Sequence, residues 1–336
     1  MRSLAAAVAG LLSISALVLA IGADTLMPVR SVPPEIAGRF REPRGFQQSA
    51  SGQYYVFDRR AHEMWGIDPR MDGPFRIVEI GAEPGRIIDP TSFAVAPDGS
   101  FVVADAPRGT ARIQAFTPAG FRTAGFFISG GTRPRITLDG VVVSGIGSMQ
   151  FTGTSVLLSQ PENGSLVSEY LLTGQPKRSV GQLRPTAHEG DPEVHVALNS
   201  GIPLLTPSGE LYYVFQAGVP AFRKYDASGR LLFERPIQGR EIDDLLPTLP
   251  SSWPRNPVDG ELPLVKPNIR AAAVDQKGRL WIAFEAGFTY VFDGDGDKIR
   301  MVRFRGAGAV SPGTMFFGPG GHLLVTPGLH EYEVNW

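Results

Sequence analysis

The chain has 336 residues and is nearly neutral, with 32 Lys and Arg against 33 Asp and Glu and a formal charge of −1; with no long basic run, a nucleic-acid partner is not expected. It contains no cysteine, which excludes disulfides and thiolate chemistry, so buried apolar area alone must hold the fold together. The 40 Gly and 29 Pro, set in a chain that is 43% hydrophobic, suit an all-β protein with many turns rather than a disordered one.

The chain opens with Arg2, then an apolar run over residues 4–21, with no acidic residue before Asp24. This is the pattern of a secretory signal, with small residues placed for cleavage after Ala20 or Ala23. The run is also just long enough to span a bilayer as a retained anchor. Either way the body is expected outside the cytoplasm, periplasmic or secreted, with a membrane contact only through an uncleaved N-terminal segment. Residues 24–35 read as a linker.

From residue 36 one phrase recurs six times: an apolar strand, a tight Gly turn, a second apolar strand, then a polar loop. The turns are Ser51-Gly52, Asp98-Gly99, Thr152-Gly153, Ser208-Gly209, Lys277-Gly278 and Gly320-Gly321. Their glycines are spaced by roughly 43 to 69 residues, the period of a radial repeat. The prediction is one closed six-bladed β-propeller over residues 36–336.

Blade 1 is expected over about residues 43–81 and blade 2 over about 89–127. Blade 3 follows over about 147–181, blade 4 over about 202–239 and blade 5 over about 269–306. Each rests on continuous or alternating apolar residues between Gly and Pro turns. Between blades 4 and 5 lies the longest insertion, residues 240–267, rich in Pro and acids; Trp253 and its leucines suggest that part of it packs down. Blade 6 holds only three strands after residue 314, so a strand near residues 36–41 is expected to complete it and close the ring.

Blade 2 carries Asp89-Pro90-Thr91-Ser92-Phe93-Ala94-Val95-Ala96-Pro97-Asp98-Gly99, then Phe101-Val102-Val103-Ala104-Asp105, then Arg112-Ile113-Gln114-Ala115-Phe116-Thr117-Pro118-Ala119-Gly120. This resembles the NHL repeat of six-bladed β-propellers. Lys224-Tyr225-Asp226-Ala227-Ser228-Gly229 and Ala273-Val274-Asp275-Gln276-Lys277-Gly278-Arg279-Leu280-Trp281 are similar. The resemblance implies that the innermost strand of each blade comes first. The Gly hairpins then lie on a lower face, and the long loops (83–91, 129–147, 182–201 and 240–267) on an upper one.

That upper face is the expected binding surface for a protein, peptide or carbohydrate partner, with no cofactor. Arg86, Arg108, Arg112, Arg135, Arg184, His188, Glu189, Asp191, His195 and Arg240 are the candidate contacts, chosen for loop position and mixed charge. Arginine grips carboxylates in a bidentate way, although 27 Arg against 5 Lys also fits a coding bias. His188, Glu189, Asp191, Glu193 and His195 could hold a metal, but their spacing matches no ligand motif and a hydrogen-bonded loop is the simpler reading. His62 and His330 share the upper loops with His188 and His195. Asp293-Gly294-Asp295-Gly296-Asp297 reads as a hairpin turn before it reads as a calcium loop, since the bidentate Glu of an EF-hand is missing.

The chain is also similar, more weakly, to gluconolactonase-like propellers. That resemblance implies a divalent ion, calcium or zinc, at the channel mouth and hydrolysis of a lactone or ester. The positions it points to are Glu42, Asn199 and Asn268. Asn268 stands where that family has Asp, which leaves one carboxylate for a hard cation.

Overall fold

The computed structural model describes residues 23–336 apart from 129–134, 139–140, 145, 256, 259 and 261–264, and only the backbone of 135–138 and 141–144. Of the expected signal or anchor segment, residues 1–23, all but Ala23 lie outside the described residues. Six blades stand in a ring. Blade 1 is Pro43–Gln48, Tyr54–Asp58, Glu63–Ile67 and Pro74–Val78, and blade 2 is Ser92–Val95, Phe101–Asp105, Arg112–Phe116 and Arg122–Phe127. Blade 3 is Met149–Phe151, Ser155–Ser159, Ser165–Leu171 and Pro176–Gln182; blade 4 is Gly201–Leu205, Leu211–Phe215, Ala221–Tyr225 and Leu231–Pro236. Blade 5 begins Ile269–Val274, Leu280–Phe284, Thr289–Phe292 and Lys298–Arg305, and blade 6 is built on Thr314–Phe317, Leu323–Thr326 and His330–Tyr332. A two-stranded hairpin, Arg135–Leu138 with Val141–Ser144, stands between blades 2 and 3.

Each blade is an antiparallel meander whose first strand contacts the first strand of the next blade around the ring. The second strand is buried at every residue in blades 1, 2, 4 and 5. Sheets packed on both faces explain why these strands read as unbroken apolar runs. Aromatic rings pack between blades, with Tyr55 of blade 1 tilted against Phe101 of blade 2 at 5.8 Å.

The lower hairpins share one chemistry. Asp98, Asp226, Asp275 and Asp293 each turn a carboxylate oxygen back onto backbone N–H groups two or four residues on, at 2.9–3.0 Å. The glycine that follows adopts φ of 87°, 90°, 76° and 86° in the four turns, a region closed to most side chains. Asp293 is thereby occupied in holding its own turn, as the hairpin reading expected.

Ring closure falls at a different place from the one expected. Residues 36–41 do not pair with blade 6. Instead Pro28–Ser31 (β2) pairs antiparallel with His330–Tyr332 and supplies the fourth strand. Ala23–Leu26 (β1), just ahead of it, runs parallel to the outer strand of blade 5. Part of the expected linker is therefore sheet. The physical reason lies in Pro33-Pro34: proline favours the first turn of a helix, and Pro34–Ala37 (α1) is helical. Ile36 and Phe40 instead bury themselves against blade 1, at 5% and 8% exposure.

The closing strand sits beside a half-buried imidazole. His330 Nδ1 lies 2.7 Å from Ser31 Oγ, and burial lowers its pKa. The neutral form is thus the one that the fold favours. Stability is present above the ordinary imidazole value and falls as pH drops below it, by at most about 1.4 kcal/mol per pH unit. Melting curves of the wild type should shift downward on acidification through this range, and His330→Gln should shift less; equal shifts would rule the histidine out.

Candidate functional site

The first strands of the six blades surround a central channel of about 700 Å³, lined from every blade. An innermost strand has no neighbour on its axial side, so its unpaired backbone groups face the lumen. The upper rim is set by the residues that begin each first strand and by those just past each second strand, because the two positions lie side by side. Backbone bonds from Arg59 to Glu42 (3.1 Å), from Gln216 to Ser200 (3.0 Å) and from Glu285 to Asn268 (2.9 Å) mark this level.

Charge is unevenly spread around that rim. Blade 1 contributes Arg44 and Arg59, and blade 5 contributes Lys266, Arg270 and Glu285. Blade 6, between them, contributes Gly313 and Thr314. Blades 2, 3 and 4 offer Thr91, Ser92, Ser148, Gln150, Ile202, Leu204 and Gln216, with no charged side chain among the described lining residues. Arg44 Nε and Arg59 Nη2 both donate to Glu42 Oε1, at 2.7 and 2.8 Å, and Arg270 pairs with Glu285 at 3.2 Å. Among the described residues, four cations therefore face two carboxylates on one arc of the mouth. These pairs hold the guanidinium groups in place, half-buried, and the described groups of the arc sum to a positive charge.

The contacts expected from sequence distribute differently. Arg112 is buried; its guanidinium donates to both carboxylate oxygens of Asp105 and to the carbonyls of Ala82 and Arg86. Arg184 lies 4.0 Å over the Phe215 ring and donates to the carbonyls of Leu198, Ala217 and Val219. Desolvation lowers its pKa to about 10. Both arginines are struts inside the upper loops. Arg86 is exposed near Glu79, at 3.9 Å, while Arg108 and Arg240 are exposed on the upper loops. The side chain of Arg135 lies outside the described residues.

The acidic and histidine loop forms a folded knot. Asp191 caps the helix Pro192–Leu198 (α2) and receives two bonds from Arg255, at 2.8 and 3.0 Å; Arg255 also meets Glu193 at 2.7 Å. Glu189 accepts from the backbone N–H groups of Thr186 and Ala187, which holds its carboxyl below the usual range. His195 Nδ1 lies 2.7 Å from Thr186 Oγ1, and His188 stands edge-on to Trp253 at 5.1 Å. The insertion is thus latched to the loop before blade 4, with Trp253 packed against Val194, Ala197 and Leu198.

Glu42, Asn199 and Asn268 offer a poor donor set for a divalent ion. Glu42 lies between two guanidinium groups, whose charge opposes a cation. Asn199 is fully buried; its carbonyl oxygen accepts from Arg184 N–H and its amide donates to the carbonyls of Arg184 and His195. Asn268 donates to the Gly218 carbonyl, and its Oδ1 has no protein partner. Among the described residues no three His, Asp or Glu side chains are grouped as a metal site.

The residues missed by sequence reasoning were within reach of it. Once the repeats are aligned, the position after each second strand falls on the rim, and Arg59, Gln216 and Glu285 occupy it in blades 1, 4 and 5.

No protein-family profile matches the sequence, and no curated protein does. Solved structures do. Virginiamycin B lyase from Staphylococcus aureus matches with a TM-score of 0.51 at 12% identity, over 85% of this chain and 77% of the lyase. A streptogramin B lyase matches with a TM-score of 0.51 at 13% identity, over 87% of this chain and 93% of that one. At this identity the likeness is one of fold alone.

Proposed function

We propose that this chain is an exported binding protein whose six-bladed ring, of NHL type, takes up its ligand through the upper mouth of the central channel. The observation that carries this reading is the channel itself. At about 700 Å³ it has the size of a small-molecule site, and polar and charged groups converge on one end only. The Asp-centred lower turns support the kinship with NHL repeats, and the charge-then-apolar N-terminus supports export. The mouth offers positioned cations and hydrogen-bonding groups, which suit the capture of a ligand.

A plug tests the reading. Gly147 lines the mouth, and a Cβ placed there meets no atom within 4 Å. Gly147→Trp is expected to fold with a stability change within about 0.5 kcal/mol and to lose ligand binding. Unchanged binding in the plugged variant would move the site off the channel. The upper-loop arginines give a contrast: Arg108→Ala and Arg240→Ala, both exposed, should leave stability and channel binding intact.

A further inference from the structure

We infer that the channel selects small organic anions: a carboxylate held at the mouth on the arc from blade 5 through blade 6 to blade 1, with an uncharged body reaching down the lumen. The inference rests on the channel being the ligand site and adds the chemistry of what enters it.

Three features lead to this class. First, every cation among the described residues lining the channel is on one arc. Arg44 and Arg59 stand on one side of blade 6, Lys266 and Arg270 on the other, and blade 6 itself places only Gly313 and Thr314 at that level. The small residues leave a notch between two positive groups. Second, Glu42 anchors Arg44 and Arg59 through one oxygen, at 2.7 and 2.8 Å. Prior anchoring lowers the entropy lost when a guanidinium grips a second carboxylate. Third, below the mouth the lumen carries no charged side chain among the described residues. Phe93, Met149, Ile202 and Met315 line it together with strand edges. A second charge on the ligand body would have to shed its water there without a partner. The low-dielectric walls around the mouth also focus the positive field of the arc toward the axis.

The size of the lumen limits the ligand to a small molecule, and the charge distribution limits its charged group to one end. An acid of this shape differs from its amide by one ionised group at nearly constant volume, so the pair isolates the inference.

The test is calorimetric titration of the full mature chain with octanoate and phenylacetate, each against its primary amide. Carboxylates are expected to bind at least about tenfold more tightly than the amides, since a charge-assisted hydrogen bond contributes about twice as much as a neutral one. Binding should weaken as salt rises. Lys266→Gln, at an exposed position, and Arg59→Gln should each weaken the carboxylates by about tenfold and leave the amides unchanged, with melting temperatures confirming the fold. Amides that bind as tightly as carboxylates, and are lost in Gly147→Trp, would overturn the anion inference while the channel reading stands. Carboxylate binding that survives Gly147→Trp would overturn both. No binding of any probe would overturn the inference for small acids.

Discussion

Deleting residues 23–31 should open the ring. The deletion removes β2 from blade 6 and β1 from the outer edge of blade 5, leaving two strand edges exposed. Each lost backbone bond costs about 1 kcal/mol net. The packing of Leu26 against Phe304 and its neighbours is lost as well. The total is a large share of the 5–15 kcal/mol that is typical for a folded domain. A propeller has little tolerance here, because blade 6 contacts blade 1 through its first two strands and a three-stranded blade at the seam weakens that contact. Urea unfolding should show a midpoint far below wild type, or a second early transition from blades 5 and 6. A deletion variant with the wild-type midpoint would show that the Velcro-like closure contributes nothing.

Arg112→Ala should be the most damaging single substitution among the loop arginines. The guanidinium reaches both oxygens of Asp105, at 2.9 and 2.5 Å, and the carbonyls of Ala82 and Arg86, at 2.8 and 3.0 Å. Both partners of the pair are buried, so removing one strands a carboxylate in the interior at a cost of about 3–5 kcal/mol. Burial already pushes the Asp105 carboxyl up. In the variant it would take up a proton in the folded state before it does so unfolded. The deficit should therefore grow as pH rises above the ordinary carboxylate range. Replacing both residues, as Arg112→Met with Asp105→Leu, should recover much of the loss. Chemical denaturation of the three variants checks this. A single variant within about 1 kcal/mol of wild type would mean that water replaces the guanidinium.

These two expectations differ in how readable they were. The need for a closing strand followed from counting three strands in blade 6, but its location did not. Residues 28–31, Pro-Val-Arg-Ser, carry no strong strand pattern. They became a strand because an open edge of blade 6 was waiting for one. Arg112, at the head of a blade 2 strand, and Arg184, on a loop, looked like binding groups because both were expected at the upper face. Both proved to be tied to backbone carbonyls, and a loop sequence does not reveal where its own carbonyls will point.

The candidate site shows the same division. Glu42 stood out as a carboxylate just ahead of blade 1; its partner Arg44 is 2 positions away, but Arg59, 17 positions away, meets it only through pairing of the first two strands. Arg270 and Glu285 meet in the same way in blade 5.

The chain's periodicity alone was enough to specify six blades and the Gly turns between their apolar strands. Those features depend on contacts within about fifty residues, where turn chemistry and apolar alternation act directly. The closing strand, the arginine struts and the cationic arc depend on groups brought together from separate blades. Their energies arise from burial and from charge held in low dielectric, which exist only after the ring has formed.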